Sequence, residues 1–108
     1  MKYRRMRLLV MFDLPTTTKP QRKRATKFRD FLLDDGYYFL QFSCYVRICA
    51  NYDDALKHEN RLKNTVPPEG TVRSIKITEK QYLELREWIG QKSDWYDNEA
   101  SGEQMILF

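Results

Sequence analysis

Residues 1–29 hold ten cations (Lys2, Arg4, Arg5, Arg7, Lys19, Arg22, Lys23, Arg24, Lys27 and Arg29) against one carboxylate, Asp13. That acid closes the run Leu8-Leu-Val-Met-Phe-Asp-Leu-Pro15. Strand alternation puts Met6, Leu8, Val10 and Phe12 on one face and Arg7, Leu9, Met11 and Asp13 on the other. From Leu8 onward both faces are apolar, which predicts a strand buried on both sides. A carboxylate at the end of such a strand is costly to bury without a partner, a cation or water. Two readings of Asp13 stand side by side. It leads into the turn Asp-Leu-Pro-Thr, where Asp and Pro are ordinary residues, or it offers oxygen to a hard cation.

The other reactive side chains form no constellation of their own. His58 lies between Lys57 and Glu59 in a helical stretch and reads as a solvated helix residue with no role. Ser43 and Cys44 have no neighbouring base and read as structural. Cys44 and Cys49, on one strand five residues apart, would be separated by roughly 16 Å at ~3.3 Å per residue. No disulfide spans that distance, so both are expected to stay reduced. With one His and two Cys in the chain, one subunit cannot assemble a Cys/His zinc set.

The 108 residues suit one domain with one modest core. The composition, 42% hydrophobic and 31% charged, is that of a soluble globular protein. The net charge of +4 permits a phosphate-bearing partner without requiring one. The basic start Met1-Lys2-Tyr3-Arg4-Arg5 is followed by a strand-length apolar run, not a signal segment. No stretch approaches the ~20 apolar residues of a membrane helix, so the expected location is the cytoplasm.

These residues must be carried by a small set of elements. Thr18-Lys19-Pro20-Gln21 reads as a capping box opening the first helix. Ala25, Phe28, Phe31 and Leu32 give its apolar stripe, and Lys19, Lys23 and Lys27 an exposed i, i+4 row. Gly36 supplies a left-handed cap. Residues 37–41 and 43–49 read as two strands with a tight reversal or bulge near Gln41–Ser43. Asn51 caps a second helix through about Val66, with Tyr52, Ala55, Leu56, Leu62 and Val66 as its stripe. Pro67-Pro68-Glu69-Gly70 stops it. Thr71–Ile77 is the next strand, with Arg73, Ile75 and Ile77 on one face.

The order β-α-β-β-α-β predicts an α+β, ferredoxin-like domain with both helices on one face of an antiparallel sheet. A second sheet is the simplest cover for the other face, which predicts a face-to-face homodimer. Thr78-Glu79-Lys80-Gln81 opens a short extra helix to about Trp88, closed by Gly90. Residues 1–90 thus form the ferredoxin-like domain. Residues 91–108 read as an acidic linker and a C-terminal strand, Met105–Phe108, suited to pairing across the dimer.

The ordered set LLVMFDLP, Leu40-Gln-Phe-Ser-Cys-Tyr45, Val72-Arg73, Ile77-Thr-Glu-Lys-Gln81 and the closing apolar strand resembles the CRISPR-associated Cas-two family. Among its members, those of type II systems are the most similar. The resemblance implies a ferredoxin-like homodimer that bridges two dimers of the Cas-one integrase and binds duplex DNA for spacer integration. It also implies a magnesium-dependent endonuclease acting on duplex DNA or RNA, with the family's metal-binding aspartate at Asp13 as the catalytic residue. Two Asp13 carboxylates meeting across a dyad would make a Mg2+ site that one carboxylate cannot, able to activate water and offset phosphodiester charge. A toxin-like ribonuclease of the same fold is the alternative.

For DNA the candidates are Arg4, Arg5, Lys19, Arg22, Lys23 and Lys27, with Arg47 and Arg73 in addition. The competing reading of the lysine row is a plain solvated helix face. No base-reading motif is present, so binding through these residues would be sequence-independent.

Overall fold

A computed structural model describes residues 4–90 of the chain. The expected linker and C-terminal strand lie outside the described residues. The element order is β1 (Met6–Asp13), α1 (Lys19–Asp34), β2 (Tyr38–Gln41), β3 (Cys44–Cys49), α2 (Tyr52–Lys63), β4 (Thr71–Thr78) and α3 (Glu79–Leu83). The sheet order is β2-β3-β1-β4, antiparallel throughout. Inserting β3 between β1 and β2 splits the first βαβ unit, the ferredoxin-like arrangement.

Local sequence explains each boundary. The Thr18 hydroxyl accepts from the Gln21 backbone N–H, and the Gln21 side chain accepts from the Thr18 N–H, a complete capping box. Gly36 follows the C-cap Asp35 with φ +95°, a left-handed conformation that glycine adopts without a Cβ clash. A bulge at Phe39/Gln41 and the turn Phe42-Ser43 reverse the chain between β2 and β3. The second helix stops at Lys63, short of Val66: Asn64 and Thr65 turn back onto Arg61 and Leu62 before the two prolines.

Leu8 and Val10 of β1, Tyr45 and Cys49 of β3, Phe28 and Leu32 of α1 and Ala55 and Leu62 of α2 form one core. Each fully buried Leu, Val or Phe contributes about 1.5–3 kcal/mol. The second face of the sheet departs from the expectation of a strand buried on both sides. Met11 is 41% exposed and Ile75 48%, while Leu9 and Ile77 are half-buried. The short α3 covers part of this face: Arg7 lies under the Tyr82 ring at 4.1 Å.

Candidate functional site

Asp13 is the last residue of β1, paired with Thr71 of β4, and its side chain is exposed. Alternation places it with Leu9 and Met11 on the half-open face. Arg73 shares that face, opposite Met11 and two pairs along from Asp13.

The backbone around Asp13 is held from two sides. Gly70, at φ +95°, sits so close that an added Cβ would lie 2.6 Å from the Asp13 carbonyl oxygen and 2.9 Å from Leu14 Cδ2. Only glycine fits there. On the other side, residues 14–18 are tied to the first turn of α1. Gln21 Oε1 accepts from the N–H groups of Thr17 and Thr18, each at 2.9 Å. Arg22 Nη1 donates to the Thr16 and Thr17 carbonyls at 3.2 and 3.0 Å. Glu69 then joins the two sides, accepting from Gln21 Nε2 at 3.2 Å and Arg24 Nη2 at 3.1 Å. Gly70, Gln21 and Glu69 are positioning residues that sequence reasoning missed. The available signal was Glu69-Gly70 directly after the proline pair.

One Asp13 does not make a metal centre. Among the described residues no three of His, Cys, Asp and Glu come together. The donor set suits a hard cation only if a second carboxylate arrives from another chain. The position of Asp13, exposed at the end of an apolar face that a second sheet could cover, allows that arrival.

The sequence-predicted cations fall into separate groups. Lys19, Lys23 and Lys27 are exposed along α1. Arg22 is on the same helix, and its guanidinium is engaged with the loop carbonyls. Arg4 and Arg5 precede β1, beyond the opposite end from Asp13 of a strand that spans about 23 Å at ~3.3 Å per residue. Arg47 is half-buried: Nε donates to the Asp35 carbonyl at 2.6 Å and Nη1 to the Ile48 carbonyl at 2.8 Å. Its contacts therefore serve the end of α1. Arg73 is exposed.

His58 corrects the sequence reading. It is 3% exposed, not solvated, and faces the interior beside Ala55 and Leu62. Its Nδ1 lies 2.8 Å from Asp35 Oδ2, and Arg61 Nη1 donates to Asp35 Oδ1 at 2.8 Å. Burial pushes the Asp35 carboxyl up, but the hydrogen bonds from His58 and Arg61 outweigh it and hold it below the usual range. This network ties the end of α1 to α2. Cys44 and Cys49 are free and buried, and burial pushes both thiols up.

The family model described as CRISPR associated protein Cas2 matches residues 6–85, from the start of β1 past the end of α3. Three relatives are each called CRISPR-associated endoribonuclease Cas2. That of Flavobacterium psychrophilum is 39% identical over 107 residues, covering 99% of this chain and 91% of its own. That of Acidovorax ebreus is 43% identical, covering 95% of this chain and 100% of its own. That of Campylobacter jejuni is 45% identical over 85 residues, covering 79% of this chain and 59% of its own.

Proposed function

The chain belongs to the CRISPR-associated Cas2 family, and from that premise we propose that it is an adaptation protein acting as a homodimeric bridge. The dimer would stand between Cas-one dimers and hold duplex DNA for spacer integration. The observation that carries this reading is the half-open apolar face bearing Leu9, Met11 and Ile75, with Asp13 at its end. Covering that face with a second copy removes apolar surface from water, at about 25 cal/mol per Å². It also doubles the exposed cations of α1, which gives affinity for phosphate without base readout.

We further propose that the paired Asp13 carboxylates hold Mg2+. Bound there, the cation would supply charge stabilisation and a more acidic water. The chain's own part is to fix the two carboxylates, through Gly70 behind the Asp13 carbonyl and the Gln21–Arg22 clamp beyond it. The name shared by the relatives makes RNA cleavage the leading form of this activity, with duplex DNA as the second substrate to assay.

Asp13→Ala separates bridge from nuclease. Exposed at a strand end, Asp13 should be replaceable with little change in melting temperature. The expected result is loss of magnesium-dependent cleavage with the dimer, DNA binding and spacer acquisition retained. A folded, dimeric Asp13→Ala protein that fails to support acquisition in cells would refute the bridge. Cleavage at the wild-type rate would refute Asp13 as the ligand.

A further inference from the structure

The turn between β2 and β3 presents an apolar ring where chains ordinarily place glycine or a polar residue. Phe42 is 89% exposed at that tip. Its position is fixed, because Ser43 adopts φ 64°, unusual for a side-chain-bearing residue, and the Ser43 carbonyl accepts from the Phe12 N–H at 3.0 Å. Phe42 meets Phe39 edge-on at 5.8 Å, and Phe39 meets Tyr45 edge-on at 5.8 Å. These rings, with Phe12 and Ser43, line a shallow cleft whose one charged member among the described residues is Arg29 of α1. Among the described residues no carboxylate lines it.

We propose that this cleft takes an unpaired nucleobase, stacked on Phe42 and Phe39, with Arg29 on the neighbouring phosphate. The inference rests on the nucleic-acid reading above. Aromatic rings joined to a cation are the general composition of single-strand binding surfaces, and stacking there tolerates any base. The cation lies on the stripe of α1 that carries Arg22, seven residues earlier, beside the buried face of the helix.

The test titrates the full-length chain with three fluorescent DNA probes: a blunt duplex, the same duplex with a short single-stranded overhang, and that overhang made abasic. Stacking of one base predicts that the base-bearing overhang binds roughly 5- to 150-fold more tightly than the abasic one. Phe42→Ala should erase that difference and leave blunt-duplex affinity and melting temperature unchanged. Phe42→Trp should keep the difference and show indole quenching on binding. Arg29→Ala should weaken both overhangs alike. Equal wild-type affinity for the base-bearing and abasic overhangs, with blunt duplex still bound, would overturn the cleft and spare the nucleic-acid reading. Failure to bind even the blunt duplex would overturn both. Loss of self-association in Phe42→Ala would assign the tip to a protein interface and overturn the nucleobase.

Discussion

Arg7 and Arg73 occupy the same face of the sheet and have opposite fates. Arg7 is buried, donates to both oxygens of Glu79 at 2.7 and 2.9 Å and to Tyr38 Oη at 2.7 Å, and lies over Tyr82. Arg73 stays exposed and available to a ligand. Alternation alone gives the face of each; the difference between them depends on α3, which brings Glu79 and Tyr82 to Arg7. His58 carries the same lesson. Its neighbours Lys57 and Glu59 suggest solvent, yet its spacing from Ala55 and Leu62 (three and four residues) matches the buried stripe. What turns it inward is Asp35, twenty-three residues away in sequence. His58→Ala should therefore destabilise by about 1–3 kcal/mol in urea unfolding, because Asp35 keeps its burial and loses a donor. The fold also depresses Glu59, where burial raises the carboxyl but Lys76 and Ser74 outweigh it, and Glu79, through the hydrogen bond from Arg7. Carboxylates held lower in the folded chain than in the unfolded one stabilise it fully above the ordinary value of about 4, and lose that contribution as pH falls through the folded values. Melting temperature should thus hold from neutral pH to about pH 5 and decline below about pH 4, with a smaller decline in Arg7→Met than in the parent.

At the level of elements, boundaries set by local chemistry were legible and those set by packing were not. Both capping boxes, the Gly36 cap and the break between β2 and β3 stand where the residue types put them. The third helix ends at Leu83 instead of Trp88, although Leu85, Trp88 and Ile89 continue an apolar pattern. Leu83 is 70% exposed and Trp88 84%, so the described residues offer that pattern no surface on which to propagate a helix. The site itself divides the same way. Asp13 was identifiable as the one acid in a basic, apolar opening, whereas its support from Gly70 requires β4 to pair with β1. Gly70→Ala combines a disfavoured φ with a 2.6 Å contact to the Asp13 carbonyl. It should cost at least about 1 kcal/mol in stability. If the paired-carboxylate reading holds, it should also depress magnesium-dependent cleavage more than Gly36→Ala, whose nearest Cβ contacts would be Arg47 side-chain atoms at 3.1–3.3 Å. Equal activity in the two variants would remove Gly70 from the site's support.

For the whole molecule, dimerisation and nucleic-acid binding should prove to be one property. The half-open face and the lysine row lie on opposite layers, the first on the sheet side away from α1 and the second on α1 itself. A change to the apolar residues of that face therefore reaches the lysine row only through assembly. Met11→Gln with Ile75→Gln leaves the net charge at its native +4 and removes the apolar driving force on the second face. This double variant is expected to sediment as a monomer at micromolar concentration, and the parent as a dimer. Its duplex affinity should fall, and the plot of log affinity against log salt should flatten toward half the parent's slope, because each phosphate neutralised contributes about 0.9 to that slope. Replacing Lys19, Lys23 and Lys27 by Gln should flatten the slope as well, while leaving the dimer intact. These three lysines are the cleaner choice, since Arg22 also holds the loop after Asp13 and its loss would confound charge with positioning. The comparison is decisive in either direction. A monomeric double-Gln variant with an unaltered salt slope would show that one subunit makes every phosphate contact, and the bridge would lose its physical basis. An unaltered slope in the triple-Gln variant would return the lysine row to a solvated helix face.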